Sequence, residues 1–211
     1  MNQVIEERSR PVHHLQALYT VVVGIALTVA LTELIDAKAE VPFRLSVLPY
    51  FLAYVVTLVP FYHGALRHLD ATYVHDVASH PRSGALMADW SLLFCESCLL
   101  LAIALLVARP IPFSYALVGL FLFDTVWAFA AHLAFSPPGQ PAERRWATIN
   151  LVTSGLLILT MVYLHSLDVS AKPVDIYMWI VVLTVCVIRT IVDYAWCWSF
   201  YYPGGTNEEA A

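Results

Sequence analysis

Apolar residues occur in six long runs, separated by shorter polar segments. The runs cover residues 15–35, 46–66, 87–107, 113–135, 146–166 and 175–200. An α-helix needs roughly 20 apolar residues to cross a hydrocarbon core of about 30 Å, and every run has that length. The pattern therefore predicts an all-α, polytopic integral membrane protein, folded as a single bundle of six transmembrane helices.

Composition supports this prediction. Of the 211 residues, 60% are hydrophobic and only 13% are charged, and the mean hydropathy is +0.70. These values lie outside the usual range of soluble domains. The net charge of −5 argues against a nucleic-acid partner, because binding to phosphates depends on positive charge. Membrane lipid is the partner that this composition predicts.

Domain organisation and orientation follow from the segments between the runs. Short connections predict antiparallel neighbours in one domain over residues 1–203, and the Gly- and Glu-containing end predicts a disordered tail over 204–211. The polar first 14 residues do not resemble a cleavable signal. Six arginines flank the helices on the side of the N-terminus, against four Lys or Arg residues on the other side. This bias predicts cytoplasmic termini, and we expect a bacterial inner membrane.

Aromatic residues gather near the ends of the predicted helices. Tyr50, Trp146 and Tyr201 are examples. Tyr and Trp rings favour the boundary between lipid and water, so we expect them at the level of the headgroups.

Charged residues inside the apolar runs are the main candidates for function. Glu96 and Asp124 each lie about ten residues from either end of their runs, so both are predicted near the middle of the membrane. Arg189 and Asp193 are four residues apart in the last run, a spacing that allows them to meet on one helix face. Insertion of one such charge costs about 3 kcal/mol, so these groups are expected to face the interior of the bundle.

Two hypotheses explain these charges. In the functional hypothesis, one acid pairs with Arg189 and the other binds a cation or carries a proton. In the structural hypothesis, the charges form a buried network that fixes helix packing. The sequence leaves both open.

Four histidines fall within 18 residues at the end of the second run and in the segment after it. They are His63, His68, His75 and His80. Imidazoles can bind iron or zinc, but these spacings match no common metal motif, and solvated histidines are the alternative.

The first helix has a small, weakly polar face. Thr20, Gly24, Thr28 and Thr32 repeat every four residues, as suits close helix packing or a hydroxyl-lined pore. Residues 14–31, HLQALYTVVVGIALTVAL, resemble the first helix of the small six-helix endolysosomal and prokaryotic potassium channels. His14 and residues 18–20 replace that family's Arg and Phe-Ser-Asp element. The resemblance implies a pore-lining role for Ile25, Thr28 and Val29.

We therefore hypothesise a channel or transporter for a small cation or proton that acts as a homo-oligomer. The alternative is a non-catalytic membrane subunit or receptor that binds a lipid, a pigment, a quinone or another membrane protein. A membrane metalloenzyme that uses the four histidines is the third hypothesis. The chain contains no nucleophile-elbow or phosphate-loop motif, which argues against a conventional enzyme active site.

Overall fold

The computed structural model describes residues 2–35, 42–75, 83–135, 142–166 and 173–203. The predicted tail, residues 204–211, lies outside these ranges. The described chain forms six long helices and one short one. They are α1 (Asn2–Leu34), α2 (Leu48–Asp70), α3 (Ser83–Ala104), α4 (Pro110–Phe135), α5 (Ala142–Ser166), α6 (Pro173–Trp196) and α7 (Trp198–Tyr201), and α2 continues into a π-helical turn at Ala71–His75.

All six long helices contain a stretch that can cross a membrane. These stretches are 20 to 27 residues long. At a rise of about 1.5 Å per residue, each is long enough for a hydrocarbon core. The outer surface of the bundle is apolar, with Val126, Leu133 and Leu159 all more than two-thirds exposed. The predicted class, an all-α bundle of six membrane-spanning helices, is confirmed.

Five of the six long helices begin before their apolar runs, whereas α1, α3 and α6 end before theirs. For example, α1 begins at Asn2 and α5 begins at Ala142, where the runs predicted starts at residues 15 and 146. Helix-forming polar residues can continue a helix past the hydrocarbon layer, so hydropathy marks the membrane-crossing part rather than the whole helix. At the other end of the chain, a bend at Cys197 separates α6 from α7.

The bundle has α2 near its centre, in contact with α1, α3, α6 and α7. The other large contacts join α4 to α5, α5 to α6, and α1 to α3. Two side chains tie helices to neighbouring backbone: Thr190 Oγ1 donates to the Val56 carbonyl at 2.9 Å, and Gln16 Nε2 donates to the Leu66 carbonyl at 2.9 Å. Such polar contacts hold membrane helices together, because lipid provides no hydrophobic force between them.

Candidate functional site

The two mid-helix acids, Glu96 and Asp124, meet inside the bundle. Both are buried, and their carboxyl groups contact each other. The hydroxyl of Tyr19 on α1 donates to Glu96 Oε1 at 3.0 Å, and Asn150 Nδ2 on α5 donates to Asp124 Oδ2. Two carboxylates in contact repel each other and neither can donate, so a proton between them is required. The two carboxyl groups can therefore share one proton.

Arg189 lies beside this pair but does not form its ion pair with it. Its Nη1 is 3.1 Å from Asp193 Oδ2, one turn further along α6. Its Nε donates to Asn150 Oδ1 at 3.1 Å, so the Asn150 amide connects the guanidinium to Asp124. The guanidinium carbon also lies 4.7 Å from the centre of the Phe61 ring, within the range of a cation–π contact. The spacing of four residues on one helix favours Asp193 as the direct partner.

The second oxygen of Asp193 accepts two further hydrogen bonds. Trp146 Nε1 and the Tyr201 hydroxyl each donate to Oδ1 at 3.1 Å. Tyr201 lies on α7, outside the membrane-crossing stretch, where burial and the nearby Asp193 charge raise the pKa of its hydroxyl. The hydroxyl therefore keeps its proton and remains a donor. Sequence placed both rings at the lipid interface, but both are buried in the bundle.

These residues form a connected set that we call the central cluster: Glu96, Asp124, Asn150, Arg189 and Asp193. A cavity of about 20 Å³ lies among its charged members, with Leu93, Trp127 and Trp146 among the other lining residues. This volume is enough for about one water molecule. All four charged residues predicted from the sequence therefore meet around one small polar space.

The central cluster contains three carboxyl groups and one guanidinium. It is therefore neutral only when two of the three carboxyl groups carry a proton. Burying an unpaired charge is unfavourable, so this composition favours the binding of protons or of a cation at the cluster.

A second polar group, which sequence analysis missed, surrounds His68. Its Nε2 is 2.7 Å from Asp89 Oδ2, and its Nδ1 is 3.5 Å from Glu143 Oε1. Asp89 also accepts hydrogen bonds from the Tyr73 hydroxyl at 3.1 Å and from Trp127 Nε1 at 2.8 Å. We call these five residues the histidine cluster. They join the end of α2 to the beginnings of α3 and α5, on the side of the bundle where α1 begins.

The two clusters share helix faces. Asp89 and Glu96 are seven residues apart on α3, and Glu143 and Asn150 are seven apart on α5. Seven residues make about two helical turns, or about 10.5 Å, so each pair lies on one face. This repeat is the sequence signal that could have identified Asp89 and Glu143. Between the clusters, the Trp127 and Trp146 rings stack with their centres 6.3 Å apart.

The remaining predicted residues lie apart from both clusters. On α1, Ile25 and Thr28 are exposed on the outer surface and Val29 is half-buried. The Thr28 hydroxyl donates to the Gly24 carbonyl of its own helix at 2.9 Å. If these residues line a pore, that pore lies outside the bundle of a single copy.

The predicted histidine group is divided in the structure. His63 Nδ1 is 3.3 Å from the Tyr194 hydroxyl, whereas His68 is fully buried within α2 and pairs with Asp89. Burial of His68 contradicts the alternative that it is a solvated loop residue, because α2 extends further than the apolar run. The side chain of His75 and the whole of His80 lie outside the described residues. In the part of the chain that is described, no three His, Cys, Asp or Glu side chains are arranged to hold a metal ion.

Comparisons with known proteins found no match to this chain among family models, curated proteins or solved structures.

Proposed function

We propose that the protein is a channel or transporter that moves a small cation or proton across the membrane through the central cluster. The observation that carries the proposal is the buried pair of Glu96 and Asp124, which sits beside a water-sized cavity in a cluster of three carboxyl groups and one guanidinium. Ionisable groups at this depth usually mark an ion pathway, because their insertion costs several kcal/mol.

A purely structural role explains less of the arrangement. The Arg189 and Asp193 pair is balanced in charge within α6, and its hydrogen bonds with Asn150 and Trp146 tie α6 to α5. Glu96 and Asp124 add two more acids beside the one guanidinium of the central cluster, and apolar residues often replace buried ion networks without loss of stability. Ion binding would explain why two acids are buried together at this position.

We extend the proposal to a homo-oligomer in a bacterial inner membrane with both termini in the cytoplasm. The six-to-four distribution of Lys and Arg supports the orientation. The outward face of α1 supports contact between copies, because the space beside Gly24 is open. In such an oligomer, Ile25, Thr28 and Val29 would face a neighbouring copy or a shared pore, as the resemblance to potassium channels implies.

Ion flux into proteoliposomes tests the proposal. Purified protein is reconstituted, and H⁺, Na⁺ and K⁺ movements are each followed with an indicator inside the vesicles. We expect flux of one of these ions, and a fall of about tenfold or more in Glu96→Gln and in Asp124→Asn, since each removes an ionisable group from the pathway.

Glu33→Gln is the matched control, since it makes the same acid-to-amide change at the far end of α1, outside the central cluster. It should retain the parental flux. The proposal fails if the parent moves none of the three ions faster than empty vesicles do. It also fails if the folded Glu96 and Asp124 variants match the parent.

A groove on the membrane-facing surface favours a second candidate, a subunit that binds a lipid or quinone. The groove lies between α5 and α6, has a volume of about 200 Å³, and includes exposed Val152, Leu156 and Ile188 in its walls. Arg189 borders both the groove and the central cavity. Mass spectrometry of the purified protein should detect a stoichiometric lipid or quinone, and Leu156→Trp should displace it by filling the groove.

A further inference from the structure

We infer that the transported ion is a proton and that the histidine cluster is a second proton-binding site on its route. This inference rests on the proposed function. It adds the identity of the ion and assigns a role to His68, Asp89 and Glu143.

The central cluster can bind a proton, but it does not provide the set of oxygen ligands that a metal cation needs. A dehydrated metal cation needs several oxygen ligands to replace its hydration shell. Here, donors already occupy Glu96 Oε1, Asp124 Oδ2 and Asp193 Oδ1. Asp193 Oδ2 lies 3.1 Å from the Arg189 guanidinium, whose positive charge repels a metal cation. The remaining carboxyl contact is between Glu96 and Asp124 themselves, and the cavity holds about one water. A proton fits this geometry because it needs only one donor and one acceptor.

The histidine cluster has the composition of a proton-transfer site. The His68 ring is fully buried and has a carboxylate oxygen near each nitrogen, at 2.7 Å for Nε2 and 3.5 Å for Nδ1. Imidazole can bind a proton at either nitrogen and release it from the other. A proton would pass between Glu143 and Asp89 through the ring once Glu143 moves closer to Nδ1, which lies 3.5 Å away and accepts no hydrogen bond from the described residues.

Groups from four elements face His68 and set its surroundings. Asp89 comes from α3, Glu143 from α5, Trp127 from α4, and Tyr73 from the π-helical turn. Two of these groups are acids that stabilise a protonated ring. Trp127 and Tyr73 donate to Asp89 and hold its carboxylate in place. The arrangement thus orients the acid that exchanges a proton with His68.

The histidine cluster lies beside the central cluster along the bundle, so a proton that crosses the membrane would meet the two clusters one after the other. Asp89 lies two turns from Glu96 on the same face of α3, and Trp127 contributes to both regions. Trp127 of the histidine cluster stacks on Trp146, with ring centres 6.3 Å apart, and Trp146 donates to Asp193 of the central cluster. We assign the histidine cluster to the end of the route on the side where α1 begins, and the carboxyl pair to its middle.

Proton flux in His68→Gln tests the second site. Glutamine keeps hydrogen-bonding capacity but does not titrate, so we expect proton flux to fall by about tenfold or more. Glu143→Gln is the milder companion, since Glu143 is the more distant partner of His68, and it should also lower flux. His165→Gln is the control. It makes the same change at an exposed histidine at the end of α5, outside both clusters, and should stay within about twofold of the parent.

The outcomes separate the two proposals. Flux of Na⁺ or K⁺ without H⁺, still sensitive to Glu96→Gln, would overturn the inference and leave the proposed function intact. Proton flux that depends on Glu96 but is unchanged in folded His68→Gln and Glu143→Gln would overturn the second site. If His68→Gln does not fold, Glu143→Gln alone decides between these results. Absence of all ion flux would overturn both proposals.

Discussion

Two ionisable pairs lie side by side in this bundle, and they differ in charge balance. Arg189 and Asp193 form a pair in which opposite charges meet at 3.1 Å and the acid accepts two further hydrogen bonds. Glu96 and Asp124 form a pair of like groups that can coexist only around a proton. The first pair brings opposite charges together, whereas the second brings together two acids that repel each other when both are ionised. A buried ionic group can therefore serve packing or chemistry, and its partner decides which.

The largest effect is expected when the balanced pair is broken. Arg189→Leu leaves Asp193 buried without its cation, and removal of one partner of a buried ion pair costs about 3–5 kcal/mol. We expect a marked fall in the thermal unfolding temperature in detergent.

The double variant Arg189→Leu with Asp193→Leu sharpens this result. It removes both charges, so most of the lost stability should return, because an apolar pair of similar size avoids the desolvation penalty. A double variant as unstable as Arg189→Leu would show that the contacts of Asp193 with Trp146 and Tyr201 matter more than the ion pair.

A smaller loss is expected when the link between the pairs is removed. Asn150→Leu deletes the amide that donates to Asp124 and accepts from Arg189. Unpaired buried polar groups cost about 1–3 kcal/mol, so stability should fall by that order in the same unfolding assay. Thr148→Leu, at an exposed position on α5, is the control and should leave the unfolding temperature near that of the parent.

A still smaller change in stability is expected at the like-charged pair. In Glu96→Gln, the amide can donate to Asp124 in place of the shared proton, so stability should change by less than about 1 kcal/mol. Flux and stability then respond to different pairs. A large destabilisation by Glu96→Gln would show that the Glu96 and Asp124 pair also stabilises the fold, and the distinction between the two pairs would be wrong.

The smallest effect concerns Cys197, beside the balanced pair at the bend before α7. Burial and the neighbouring Asp193 raise the pKa of its thiol from 9.0 to about 12. The thiol should therefore resist maleimide labelling at neutral pH in the folded protein and react after unfolding. Its folded pKa exceeds its unfolded value, so its contribution to stability is complete below about pH 9 and declines as the pH rises toward 12. Rapid labelling of the folded protein would place Cys197 outside the packed interior.

The fold and the central cluster could be predicted from the sequence, because the membrane restricts which residues a crossing helix contains. Lipid requires apolar runs of fixed length, so all six helices are visible in the hydropathy pattern. Glu96, Asp124, Arg189 and Asp193 stand out because they interrupt such runs. Asp89 and Glu143 lie near helix ends, where polar residues are common, so the hydropathy pattern does not distinguish them as candidate site residues. Trp146 and Tyr201 were predicted at the interface because both lie near helix ends. The sequence does not show whether such a ring points outward or inward to the bundle.

One contact connects the short helix α7, which has only four residues, to the charged interior of the bundle. Tyr201 extends from this helix to Asp193, and Arg67 holds the segment by donating to the Phe200 carbonyl at 3.0 Å. Displacement of α7 withdraws a donor from an acid that is already inside the lipid layer. The position of α7 therefore affects the hydrogen bonding of the charged interior, although α7 itself lies outside the membrane-crossing stretch.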